Sequence, residues 1–150
     1  NFIGIDVKGN RIWKGAKYAL ENDISNVAFH RLMIGNIEEY FDKGEIDEFW
    51  ITFPDPQHAK KRKRLTNGMF LDRYRNISKD GAIMNLKSDS TRFYEFTKEV
   101  MAEQKLEVLA DSDDIYAWDE IPEHLANIQT YYENMWLDQG KKIKFLRYVL

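Results

Sequence analysis

Residues 46–66 read "IDEFWITFPDPQHAKKRKRLT". The first eight are rich in aromatic and β-branched side chains, which predicts a strand from Ile46 to Phe53. It stops at two prolines with a carboxylate, Asp55, between them. Five consecutive cations follow, Lys60 to Arg64, and Thr66 then reads as the N-cap of a helix carrying Met69, Phe70, Tyr74 and Ile77. A strand that ends in a stiff loop and runs on into a helix is the repeating unit of an open α/β sheet. Ligands of such sheets bind outside the carboxyl ends of the strands.

The same alternation extends outward. Toward the start, "NFIGID" is a strand. Asn10 to Asn22 is a helix with Ile12, Ala16, Ala19 and Leu20 on one side, "NVAFHRL" (26–32) a strand, and Asn36 to Phe41 a short helix. Toward the end, a "SKDG" turn (78–81) precedes the strand "AIMNLK", Ser90 to Glu103 is a helix, and "KLEVLA" is a strand. Asp111 to Glu123 is an acidic loop or excursion. A last helix starts near Thr130, and Gly140 separates it from a terminal strand, Ile143 to Leu150. Short connections between alternating strands and helices predict a mostly parallel sheet covered on both faces. No repeat or linker divides the chain, so all 150 residues are expected to form a single domain.

Composition narrows the classes. An apolar share of 43% and an aromatic share of 14% suit a packed core rather than disorder, and no run approaches the ~20 apolar residues of a membrane span. The expectation is a soluble, cytoplasmic protein without a membrane partner. No cysteine and only three scattered histidines (His30, His58, His124) leave no thiol chemistry and little for a metal, so none is expected. The net charge of -3 hides an asymmetry: Met101 to Glu123 holds eight acids against the single cation Lys105, while Lys60 to Arg64 is wholly cationic. A local patch of that kind can bind phosphates in an acidic protein.

Three acids fall at predicted strand ends or just beyond: Asp6, Asp55 and Asp89. Asp6 is placed to accept hydrogen bonds from ribose hydroxyls, or is an ordinary polar strand end. Asp55 is better defined. Each flanking proline lacks an N–H and fixes its own φ, and Pro56 biases Asp55 toward an extended conformation. A carboxylate held so stiffly suits catalysis or binding; the alternative is a turn that merely ends the strand. Lys60, Lys61, Arg62, Lys63 and Arg64 are either a solvated loop or a hold on the backbone of a nucleic acid laid across Asp55. In "KSDS" (87–90), Ser88 or Asp89 can cap the next helix. "TYYE" (130–133) is a literal capping box, with Thr130 and Glu133 satisfying the first N–H groups of the last helix.

Taken together and in this order, "NFIGID", "FWITFPDPQHAKKRKRLT", "GAIMNLKSDS" and "TYYENMW" resemble the tRNA (guanine-N7)-methyltransferase family over nearly the whole chain. The resemblance implies a Rossmann-like class I methyltransferase fold: a mostly parallel central sheet, helices on both faces and an antiparallel C-terminal strand. It implies methyl transfer from S-adenosylmethionine to N7 of guanine in tRNA, at position 46 of the variable loop, with S-adenosylhomocysteine as the second product. Residue by residue, Asp6 would hold the cofactor ribose and Asp55 would be the catalytic aspartate, itself close to the cofactor. Ser88 and Asp89 stand for the family's Thr-Asp, and with Thr130 and Glu133 they would hold the target guanine. Either a monomer or a homodimer fits.

This chain departs from the family at three points. The first strand and glycine-rich cofactor loop, which would lie in the middle of the sheet, are absent, so the chain matches the later part of such a domain. Met33-Ile34 stand where an Asp or Asn followed by Ala is common near the adenine, leaving that contact to backbone groups. Gln57 replaces a common tryptophan in a segment about two residues shorter, which makes Lys60, with Lys61 next, the choice for the substrate-binding lysine. Two other classes share parts of the pattern. A nicotinamide-dependent oxidoreductase would use an acid at Asp6 but leaves the cationic run unexplained, and a non-catalytic RNA-binding module would need no stiff Asp55.

Overall fold

The computed structural model describes residues 1–150, apart from the side chain of Ala126. The chain divides into two compact units, Asn1–Phe41 and Asp42–Leu150.

The first unit is a β-α-β arrangement of β1 (Phe2–Asp6), α1 (Gly9–Glu21) and β2 (Val27–Arg31), followed by a 3-10 segment, Ile34–Glu39. The two strands pair in parallel, from Phe2 opposite Val27 to Asp6 opposite Arg31. The inward row of α1 is Ile12, Gly15 and Ala19, while Leu20 is 82% exposed. Leu20 was expected on the inner side, but at about 100° per residue it lies well around the helix from Ile12. Gly15 has a specific reason: a Cβ there would sit 2.5 Å from the Phe29 ring, so the helix packs on β2 only because that atom is missing.

The second unit holds β3 (Ile46–Thr52), α2 (Gly68–Ile77), β4 (Ser78–Ser88), α3 (Thr91–Glu103), β5 (Val108–Ser112), α4 (Glu123–Ala126), α5 (Tyr131–Leu137) and β6 (Lys144–Val149). Its sheet runs in the order β3-β4-β6-β5. β3 and β4 are parallel, and β6 is antiparallel to both of its neighbours. The C-terminal strand is thus reversed, as expected, but the strands form two sheets instead of one. β4 and β6 lie inside the sheet and read as near-continuous buried runs, the pattern of strands covered on both faces. Leu71, Tyr74 and Ile77 of α2 and Phe93, Phe96 and Val100 of α3 are buried with Met84, Leu86, Leu146 and Tyr148.

Local chemistry differs from the expected pattern at four places. The N-cap of α2 is Asn67, whose side chain accepts from Met69 N at 3.1 Å, while Thr66 is buried and bonded to Thr97 Oγ1 at 2.7 Å. The "SKDG" turn is an irregularity within β4: pairing jumps between Ile46 and Glu48, and Gly81 takes φ +77, a value that costs glycine little. The cap of α3 is Ser90, not Ser88 or Asp89. The acidic stretch after β5 is not all solvated loop. Its 3-10 turn Ile115–Ala117 buries Ile115 with Leu125, Ile143 and Phe145, and Phe53, Trp118 and Trp136 pack around them.

Four tyrosines make stability depend on alkaline pH. Burial pushes the phenols of Tyr74 and Tyr148 well above the usual value of 10.0, and burial followed by a hydrogen bond to a carboxylate lifts Tyr94 and Tyr116 to about 12. An unfolded chain loses these protons near pH 10 while the native state keeps them, so stability present below pH 10 is lost above it. The slope reaches about 1.4 kcal/mol per pH unit for each of Tyr74 and Tyr148, which are deeply buried, and is smaller for Tyr94 and Tyr116. Lys144, whose pKa burial lowers, acts in the opposite sense but as one group. Denaturant midpoints at pH 9, 10 and 11 are therefore expected to fall steeply over the last step; a flat series would refute the buried, protonated tyrosines.

Candidate functional site

In the second unit the two parallel strands end together. Thr52 of β3 pairs with Lys87 of β4, and Phe53 N still donates to Lys87 O at 2.8 Å before the chain leaves the sheet. Asp55 lies two residues past that bond on one strand and Asp89 two residues past Lys87 on the other. Both carboxylates therefore stand at the same sheet edge. Phe53 takes φ +48 and Gln57 φ +46, unusual values for side chains with a Cβ, so the Pro-Asp-Pro loop is held in a costly conformation from both sides.

Asp55 is exposed, and its Oδ1 accepts from Gln57 N at 2.9 Å, a turn that fixes the carboxylate by one oxygen. Ser88 is fully buried and its Oγ accepts from Ser90 N at 3.1 Å. Because Ser90 takes the capping duty, the Asp89 side chain is left half-buried at the edge, 3.7 Å from Lys141 Nζ. Lys141 lies over the ring of Trp136, and Lys144 Nζ donates to Asp89 O at 3.2 Å.

Thr130 and Glu133 form the expected capping box: Glu133 N donates to Thr130 Oγ1 at 3.2 Å and Thr130 N to Glu133 Oε2 at 3.4 Å. Glu133 has more partners than a cap requires. It is completely buried, with Lys87 Nζ 2.6 Å and Tyr116 OH 2.7 Å from Oε1. Gln129 in turn donates to Tyr116 OH at 2.9 Å. These bonds draw Thr130 and Glu133 to the edge that carries Asp55 and Asp89. Sequence reasoning missed Lys87 and Tyr116. The signal for Lys87 was a cation inside the apolar run "AIMNLKS"; Tyr116 has none.

The cationic run is not one surface. Lys60 to Lys63 are exposed, Lys61–Lys63 forming a 3-10 turn. Arg64, expected on the RNA-binding face with them, is 1% exposed: its Nε donates to Pro56 O at 3.1 Å and its guanidinium lies 4.5 Å from the centre of the Phe96 ring. The turn's geometry points it inward against α3, so it anchors the loop rather than facing solvent. Beside it a groove of about 260 Å³ is lined by His58, Lys61, Arg64, Arg92 and Phe96, with Glu95 and Glu99 opposing the cations.

In the first unit Asp6 stands at the carboxyl end of β1. Its Oδ1 accepts from Lys8 N at 2.8 Å and its Oδ2 pairs with Arg11 at 3.1 Å, which aims the carboxylate without burying it. Met33 and Ile34 follow the end of β2, the next strand of the same sheet, and Met33 is 68% exposed. Among the described residues no group of three or more His, Asp or Glu could hold a metal ion. No helix among them is long and apolar enough to cross a membrane.

A family model described as "Putative methyltransferase" matches residues 1–146. A protein of Christiangramia forsetii, named tRNA (guanine-N(7)-)-methyltransferase, is 47% identical over 150 residues, covering 99% of this chain and 67% of the relative. One of the same name from Bacteroides thetaiotaomicron is 43% identical, covering 100% of this chain and 59% of the relative. The chain thus spans about three fifths to two thirds of these relatives' length. Among solved structures, the 16S rRNA methyltransferase KamB superposes with a TM-score of 0.68 at 11% identity, over 99% of this chain and 75% of the other. A SAM-dependent methyltransferase from Aquifex aeolicus gives 0.63 at 11% identity, over 98% and 67%. At such identities the likeness is one of fold.

Proposed function

We propose, from the premise that this chain belongs to the tRNA (guanine-N7)-methyltransferase family and has its Rossmann-like class I fold, that it is the later part of a single methyltransferase domain. The enzyme transfers a methyl group from S-adenosylmethionine to N7 of guanine in tRNA, at position 46 of the variable loop. The observation that carries this reading is the convergence of three motifs, Pro-Asp-Pro, Ser88-Asp89 and Thr130 to Glu133, on one sheet edge in a chain 47% identical to a relative of that name.

The residues present fit the methyl donor at its ribose end, because Asp6 offers an aimed, accessible carboxylate at a strand terminus. Met33 and Ile34, at the end of the neighbouring strand, offer an apolar side chain and backbone groups to the adenine. Bound there, S-adenosylmethionine supplies a methyl group on a sulfonium. Guanine N7 carries a lone pair and no proton, so the protein needs no strong base and its task is orientation. The methylated ring is cationic, and the carboxylate of Asp55 stabilises that developing charge. Asp89 and Thr130 bind the polar edge of guanine, where a carboxylate accepts from ring and exocyclic N–H groups. Glu133, which the resemblance also assigns to the base, is buried on Lys87 and Tyr116 and supports Thr130 from behind. Ser88 holds Asp89 in place through its bond to Ser90 N. Lys60 reaches the substrate, and Lys61, Arg62 and Lys63 neutralise backbone phosphates.

The test is transfer of labelled methyl from S-adenosylmethionine to unmodified bulk tRNA by the full-length protein, followed by nuclease digestion. Label is expected in 7-methylguanosine of the variable loop. Label in another nucleoside, or none with the cofactor bound, would overturn the assignment.

A further inference from the structure

Lys87 and Glu133 form an ion pair that water does not reach: their side chains are 4% and 0% exposed and the charged atoms are 2.6 Å apart. A buried charge with one partner lost is costly, so such a pair restricts geometry even where it adds little net stability. Here it has a particular placement. Lys87 is the residue immediately before Ser88-Asp89 on β4, and Glu133 closes the capping box that begins at Thr130. Lys87 Nζ also donates to Leu125 O at 3.2 Å, in α4. Tyr116 OH approaches the same Glu133 oxygen from the turn after β5, and Gln129 donates to that hydroxyl. One ammonium thus ties together the strand end, α4 and the start of α5.

We infer that Lys87 is a positioning residue for the target base: through Glu133 it locks the Thr130 to Glu133 turn in register with Ser88-Asp89, so that Thr130 and Asp89 grip one guanine. Tyr116 is the second strut. The inference rests on the guanine-binding reading above.

The test uses the full-length enzyme and the tRNA methylation assay below the melting temperature of every variant. Lys87→Gln keeps a donor for Leu125 O and removes the charge. It is expected to raise the KM for tRNA tenfold or more while changing kcat less than threefold, the mark of lost base binding. Lys87→Arg, which keeps the charge, should recover most of that loss. Ile77→Ala, a core truncation in α2, serves as the comparison for destabilisation alone, lowering Tm without moving KM. A wild-type KM in Lys87→Gln, or the same change in Ile77→Ala, would overturn the inference. Should wild-type enzyme place no label on guanine N7, it is the functional reading that has failed.

Discussion

Asp55→Ala is expected to lower kcat for tRNA methylation by about 10²- to 10³-fold, the usual effect of removing one preorganised group that faces charge formed in the transition state. Binding of tRNA should stay within about threefold, because phosphate contacts supply most of that affinity. Alanine removes two things at once. Asp55 Oδ1 holds Gln57 N at 2.9 Å, so the variant loses the turn as well as the charge. Asp55→Asn separates them, since an amide oxygen can still accept from Gln57 while the charge is gone. If the carboxylate stabilises the cationic product ring, Asn should be nearly as slow as Ala in single-turnover methyl transfer. Recovery to within a few-fold of wild type would assign Asp55 to loop geometry alone. Phe53 N on Lys87 O and Arg64 Nε on Pro56 O hold the loop without that one bond, which is why the variant should fold.

The sequence carried the alternation of strands and helices because each strand is bounded by a distinct turn chemistry and each buried helix face keeps its spacing. Asp55 was legible for the same reason: prolines on both sides constrain the backbone whatever packs around it. What did not show were pairings across the fold. Asn67 rather than Thr66 caps α2 because Thr97, 31 residues away, takes the Thr66 hydroxyl into the core. Ser90 rather than Asp89 caps α3, which frees the carboxylate for another duty. Glu133 satisfied the local capping rule so well that its long-range partners, Lys87 and Tyr116, were invisible. Charge runs mislead in a similar way, since periodicity does not say which of five adjacent cations turns inward.

Arg64 separates positioning from binding within that run. Its Nε holds Pro56 O at 3.1 Å and its guanidinium lies on Phe96, so it links the residue after Asp55 to α3. Arg64→Met keeps much of the apolar stem but removes the hydrogen bond and the cation–aromatic contact, which together are worth about 2 to 3 kcal/mol in a buried setting. Misplacing a catalytic group by about 1 Å can cost 10²-fold, so kcat should fall by about 10- to 100-fold. The slope of log K against log salt for tRNA binding should not change, because a side chain 1% exposed neutralises no phosphate. Lys61→Ala, Arg62→Ala and Lys63→Ala should behave in the opposite way: each exposed cation that contacts a phosphate takes about 0.7 to 0.9 from that slope and leaves kcat largely intact. A reduced salt slope in Arg64→Met, with kcat preserved, would return Arg64 to the RNA-binding face. Phe96→Leu gives an independent check, since it loosens the guanidinium from the other side without touching any charge. It should therefore reproduce the kcat effect of Arg64→Met in weaker form, with the salt slope of wild type.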